Sequence, residues 1–239
     1  MLHPKELCQL RYKRQYKAEY PDWDDSMVML RNLVERHLPD QAIVLDAGCG
    51  HGNFVIDELR PRMGRAVGVD VHPSVTSKNV CLDEIVFGRL EQLPFLDGTF
   101  DAVISLWVLE HITDPQKVFL EMARVLKPGG FFAFVTPSKR SWLIILRRLM
   151  SQRIVDRIVE YLYGRQEEDV FSVKYEVNSL RDIRLVAQAS GLQVEWLSEN
   201  PDPTYTSFGA VSYRISAFLS RLPFSLFRVH VVGILRKPA

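Results

Sequence analysis

The chain has 239 residues, 47% of them hydrophobic and 25% charged, with a net charge of +1. That length suits one large domain or two small ones with a substantial core, and the near-neutral balance argues against a general affinity for nucleic acid. Its three cysteines, Cys8, Cys49 and Cys81, are odd in number and lack CxxC spacing, which predicts free thiols in a reducing compartment and no metal site. The charged first twenty residues hold no apolar leader, and no apolar run nears the ~18–20 residues of a membrane span, so the cytoplasm is expected.

Residues 5–20 read as a helix with Tyr12, Tyr16 and Tyr20 along one face. A second helix runs from Asp25 to His37 and stops ahead of Pro39. The apolar run "AIVLD" (Ala42–Asp46) is a buried strand, followed by a glycine-rich turn and a helix from Phe54. "RAVGVD" is a second strand ending in Asp70, "EIVFG" a weaker third and "FDAVISLWVL" a strong fourth. "DPQKVFLEMARVLKPGG" is an amphipathic helix expected to end at Gly129 and Gly130. "FFAFVTP" is a fifth strand.

Beyond Pro137 the pattern changes. Six basic side chains stand against the single acid Asp156 between Ser138 and Ile158. "SLRDIRLVAQAS" is a helix, "LQVEWLS" a sixth strand, "FGAVSYRISAFLSRL" a helix and "LFRVHVVGIL" a closing strand. Strands alternating with helices predict a doubly wound, mostly parallel α/β sheet with helices on both faces. One domain over 1–239 is expected, with helices 1–38 covering a ligand and a helical cap inserted at 138–177.

In such a sheet, ligands bind beyond the carboxyl ends of the strands where strand order reverses, and the first strand–helix turn belongs there. Gly48, Gly50 and Gly52 allow the tight bend and close approach of a ligand to the backbone. The dinucleotide fingerprint G-x-G-x-x-G is broken, because Asn53 stands at its third glycine. Asp46, just ahead of the loop, would repel a pyrophosphate but suits an ammonium or sulfonium. Asp70 can accept both hydroxyls of a ribose. S-adenosylmethionine carries both features.

With "VLDAGCGHGNF", "VGVD", "LPFLDGTFDAVISLWVLEHITDP" and "ARVLKPGGFFAFVTPS" in this order, residues 40–138 resemble the class I S-adenosylmethionine-dependent methyltransferases. The resemblance implies a Rossmann-like, seven-stranded sheet with an antiparallel last strand. It also implies that Asp46, Ala47, Gly48 and Gly50 hold the methionine end of the cofactor and Asp70 the ribose. Val71 would lie beside the adenine, Leu90 would wall it, Glu91 would take the adenine amine where Arg89 replaces the expected acid, and Leu106 would line the cofactor. His111 is the candidate general base. Metal binding by Glu110 and His111, known among relatives, lacks further ligands here.

Trp107, Tyr16 and Tyr175 are candidate acceptor contacts, and Tyr161, Tyr163 and Phe171 add aromatic character to the cap. The expected reaction is methyl transfer to O or N of a planar or apolar small molecule. The alternatives are a catalytically silent S-adenosylmethionine-binding or membrane-associated module and an NAD-dependent oxidoreductase. No nucleic-acid partner is expected, since "ENPDPTY" lies after the sixth strand rather than the fourth. Segment 139–157 is either a solvated helix face, a cap for an acidic acceptor or a peripheral membrane contact.

Overall fold

A computed structural model describes residues 4–72, 76, 79–150, 154, 157 and 173–239. The expected cap residues Tyr161, Tyr163 and Phe171, and most of 151–172, lie outside the described residues. The elements in chain order are α1 (Pro4–Glu19), α2 (Ser26–His37), β1 (Ala42–Ala47), α3 (Phe54–Leu59), β2 (Met63–Asp70), β3 (Glu84–Phe87) and β4 (Phe100–Leu106). They continue with α4 (Pro115–Val125), β5 (Leu126–Pro137), α5 (Trp142–Leu149), α6 (Leu180–Ala189), β6 (Gln193–Asn200), α7 (Ala210–Arg221) and β7 (His230–Arg236).

The strands form one seven-stranded sheet in the order β3-β2-β1-β4-β5-β7-β6. β1 lies between β2 and β4 in parallel, with Leu45 opposite Val67 on one side and Val103 on the other. β7 is antiparallel to β5: Lys237 N donates to Gly130 O at one end, and Ser138 N donates to Val229 O at the other. The fold is the Rossmann-like, mostly parallel sheet expected.

The chain divides into two compact units. The larger comprises 26–136, 173–198 and 231–239. Its central strands β1, β4, β5 and β7 are buried on both faces, as continuous apolar runs require, while the edge strands β3 and β6 are partly exposed. Leu45, Val103, Phe132, Phe134 and Val231 join α4 and α6 in one core cluster. The alternating residues Val44, Ala102, Ile104, Phe131, Ala133 and Val232 join α2 and α3 in another. The two-residue period of the strand thus sorts adjacent side chains into opposite cores.

Two boundaries differ from expectation. α4 is capped by Asp114, whose side chain accepts Lys117 N, but it ends at Val125 rather than at the diglycine. Leu126 is already extended at φ −71°, ψ 139°. Pro128 disfavours helix in the residue before it, so "LKPGG" opens β5, which shifts register against β4 between Phe100 and Ala102. β4 ends at Leu106 rather than running on through Leu109, because Trp107 takes φ 58°.

The smaller unit draws on 1–25, 137–172 and 199–230. Here α1 packs its tyrosines on α7: the rings of Tyr12 and Tyr213 stack with centroids 4.8 Å apart, and Tyr16 meets Trp23 edge-on at 5.0 Å. Tyr213 OH donates to Glu19 at 2.6 Å. His230 is buried against Tyr205 OH at 3.0 Å, and burial pushes its pKa down to about 3.

Candidate cofactor and acceptor site

Strand order reverses at β1, whose neighbours β2 and β4 lead to opposite edges of the sheet. The loop beyond β1 therefore sits where a doubly wound sheet binds its ligand. Gly48 has φ +81°, and a Cβ there would lie 2.4 Å from Val108 Cγ2, so the residue must be glycine. At Gly50, with φ +41°, a Cβ would meet nothing within 4 Å. The loop is thus tight against the protein at Gly48 and open at Gly50, which is the shape of a cradle. Gly48 N and Cys49 N both donate to Val69 O, tying the loop to the tip of β2.

Asp46 is fully buried. Its Oδ1 accepts from Asn53 Nδ2 at 2.7 Å, and its Oδ2 has no partner. Burial, with Asp70 and Asp57 adding repulsion, raises its pKa to about 7. An orphaned buried carboxylate oxygen leaves an energetic deficit that a bound cation would remove. Asn53 was read in the sequence only as a missing glycine. The structure makes it the cap of α3, with Oδ1 accepting Val55 N at 3.0 Å and Ile56 N at 3.4 Å. An asparagine directly before a helical run is the cap signal that would have found it.

Asp70 ends β2. Its Oδ2 accepts Gly50 N at 3.0 Å and its Oδ1 accepts His72 N at 2.9 Å, so the second acid grips the same loop as the first. Each oxygen keeps a lone pair for a further donor. Val71 next to it is an exposed apolar residue at the strand tip. Cys49 is buried in the loop, and desolvation, with Asp46 and Asp70 nearby, pushes its thiol up to about 12, so it offers no thiolate. Ala47 is buried, its carbonyl accepting Ser105 Oγ at 2.8 Å from β4.

Leu90 is a member of the core beside this edge. Glu91 is engaged by Arg89, Nη2 to Oε1 at 3.2 Å. Leu106 is half-buried at the end of β4. Trp107 follows at φ 58° with its N–H on Val135 O at 3.0 Å. His111 closes the next turn, donating its N–H to Val108 O at 2.9 Å. Tyr175 also sits at positive φ, 57°, is buried, and donates its N–H to Glu110 O at 3.1 Å. Tyr16 lies in the smaller unit, buried with its hydroxyl 3.2 Å from Ser220 Oγ.

A buried polar chain that sequence reasoning left out runs between the tips of β4 and β5. Thr136 Oγ1 donates to Glu110 Oε2 at 3.0 Å and accepts Asn178 Nδ2 at 2.5 Å. Burial raises the Glu110 pKa to about 7. Asn178 Oδ1 is buried without a partner. Glu110 O also accepts the N–H groups of Lys174 and Tyr175, so one residue fixes the segment entering α6. Of the two, the Glu110 carboxyl can take up or release a proton, and the Asn178 amide oxygen can accept a hydrogen bond.

Residues 45–134 match the family described as Methyltransferase domain. The chain is 30% identical over 180 residues to the biotin biosynthesis bifunctional protein BioHC of Teredinibacter turnerae, covering 69% of this chain and 29% of that protein. It is 28% identical over 177 residues to the mitochondrial ubiquinone biosynthesis O-methyltransferase of Schizosaccharomyces pombe, covering 66% and 62%. It thus spans less than two thirds of the length of either relative. Among solved structures, geranyl diphosphate C-methyltransferase from Streptomyces coelicolor, in complex with S-adenosyl-L-homocysteine, has the same fold at TM-score 0.57 and 16% identity, over 88% of this chain and 76% of that one.

Proposed function

The chain carries a class I S-adenosylmethionine-dependent methyltransferase domain, and we propose that it transfers a methyl group to O or N of a small molecule with a planar or apolar body. The observation that carries the reading is the pair of acids on one glycine loop: Asp46 with a bare, buried Oδ2, and Asp70 bonded to Gly50 N at 3.0 Å.

When bound, S-adenosylmethionine supplies an electrophilic methyl on a sulfonium. Asp46, ionised, pairs with the amino-acid ammonium, and the open face of Gly50 lets that end approach the backbone. Asp70 accepts the ribose hydroxyls while continuing to hold the loop. Val71 and Leu90 flank the adenine, and Glu91 accepts its amine. Leu106 lines the inner wall. The protein's main task would then be to align the acceptor with that methyl. Trp107 and Tyr175 orient the acceptor, both held at backbone angles that cost a non-glycine residue about 1–3 kcal/mol and that recur at functional sites. His111 takes the proton from an acceptor hydroxyl. The name of the yeast relative, a ubiquinone biosynthesis O-methyltransferase, supports a planar acceptor.

Calorimetric titration with S-adenosylhomocysteine tests the cofactor site. Binding by the wild type that weakens at least about tenfold in Asp46→Asn and Asp70→Ala is expected. Unchanged binding in both variants, or preferential binding of NAD(H), overturns the reading. Methyl transfer from labelled S-adenosylmethionine to a panel of catechols, quinols and aryl amines tests the reaction. Tight cofactor binding with no turnover on any acceptor would instead mark a silent binding module.

A further inference from the structure

The smaller unit carries a surface that the methyl-transfer reading does not use. Lys139, Arg140, Ile145 and Arg148 form one wall of an open groove of ≈ 740 Å³, and Pro223–Leu226, including Phe224, form the other. Of the lining residues, Phe224 is 59% exposed and Ile145 and Leu226 are also exposed, and α5 adds the exposed Leu146 and the 80% exposed Leu149. Nearby in sequence, α7 turns Val211, Ile215 and Phe218 outward at helical spacing while Tyr213 and Ala217 face the unit's own core.

The charge is one-sided. Residues 137–149 contain four basic side chains (Lys139, Arg140, Arg147 and Arg148) and no acid, and 203–230 contain Arg214, Arg221 and Arg228 and no acid. Among these, Arg140, Arg148, Arg214 and Arg221 are exposed. Large apolar side chains in water, carried on segments with basic and no acidic residues, are costly to leave uncovered and rare on a monomer's surface. A protein partner matched to them would need a fixed acidic complement. An anionic bilayer supplies apolar depth and negative charge together, with no shape requirement, and α5 has the interfacial pattern for it: Trp142, Ile145, Leu146 and Leu149 recur at three- and four-residue spacing along one face, with Arg147 and Arg148 off it.

We propose that this unit docks on anionic lipid membranes, with Ile145, Leu149, Phe224 and Leu226 entering the headgroup–acyl boundary and Lys139, Arg140 and Arg148 meeting phosphate headgroups. Among the described residues no helix is long and apolar enough to cross a membrane. The proposal is independent of the reaction at the glycine loop.

The test is flotation of the whole chain with two kinds of vesicle: phosphatidylcholine alone, and phosphatidylcholine with phosphatidylglycerol. Flotation with the mixed vesicles, weak flotation with the neutral ones and loss in high salt are expected. Arg140→Glu/Arg148→Glu should weaken partitioning by about tenfold or more, and Ile145→Ser/Leu149→Ser/Phe224→Ser should abolish it. All five positions are exposed, and unchanged far-ultraviolet circular dichroism and melting temperature in each variant confirm that it is folded. No flotation with anionic vesicles, or flotation that neither variant alters, overturns the proposal. So does a stable wild-type dimer by light scattering that the serine variant converts to monomer, since the surface would then belong to a second copy. Flotation without any binding of S-adenosylhomocysteine would instead sink the proposed function and leave this inference standing.

Discussion

Asn53 Nδ2 stands 2.7 Å from Asp46 Oδ1, while the oxygen of the same amide caps α3 through Val55 N and Ile56 N. One side chain therefore joins the buried acid of the loop to the first turn of the following helix. It also leaves Asp46 Oδ2 as the atom with nothing to bind.

Asn53→Ala should cost both functions at once. Loss of the cap removes about 1 kcal/mol, and the unpaired Asp46 Oδ1 adds roughly 1–3 kcal/mol. Urea unfolding should record the sum, and calorimetry should record weaker S-adenosylhomocysteine binding. A variant with reduced stability but unchanged affinity would show that Asn53 serves the helix alone.

The two glycines should separate folding from binding. Gly48→Ala meets Val108 at 2.4 Å and sits at φ +81°, so it should destabilise by several kcal/mol or prevent folding. Gly50→Ala meets no protein atom within 4 Å and should lose only about 1 kcal/mol. Its added methyl occupies the cradle, so cofactor affinity should fall much further than stability. Equal losses in both properties at Gly50 would place the ligand elsewhere.

The pH dependence follows from two raised carboxyl pKa values, about 7 for both Asp46 and Glu110. Each group binds its proton more tightly folded than unfolded. Its contribution to stability is complete below about pH 4, near the ordinary carboxyl pKa, and is lost as pH rises towards 7. Asp46→Asn and Glu110→Gln should each flatten that decline, by up to about 1.4 kcal/mol per pH unit. His230 works in the opposite sense: its depressed pKa adds stability above about 6.5 that is lost as pH falls. Melting temperatures of wild type and variants between pH 4 and pH 8 isolate each part. Cofactor binding should strengthen across the same range, because only the ionised Asp46 balances an ammonium.

The Glu110–Thr136–Asn178 chain should behave as a unit. Thr136→Val strands both neighbours and should cost roughly 1–3 kcal/mol. Combined with Asn178→Ala it should cost less than the two single losses added together, which a double-mutant cycle in urea measures. Strict additivity would mean that the three side chains do not share their hydrogen bonds.

Much of the larger unit was legible from local chemistry. Continuous apolar runs separated by amphipathic helices specify a parallel sheet, and the acids at the ends of β1 and β2 follow from two strand endings and one glycine turn. What the local pattern missed depends on partners distant in sequence. The end of α4 gave way to β5 pairing with β4. Thr136 and Asn178 carry no signal of their own, since the chain they form with Glu110 spans separations of 26 and 42 residues.

The sequence alone determined the sheet, the cradle and the two acids, because strand period, helix capping and glycine's freedom act over a few residues. Only the tertiary structure decided which polar atoms stay unpaired, Asp46 Oδ2 and Asn178 Oδ1 among them. It also decided which apolar residues of the smaller unit stay in water. Both are properties of three-dimensional neighbours: a hydrogen bond is satisfied, or an apolar surface covered, by whatever the fold brings alongside.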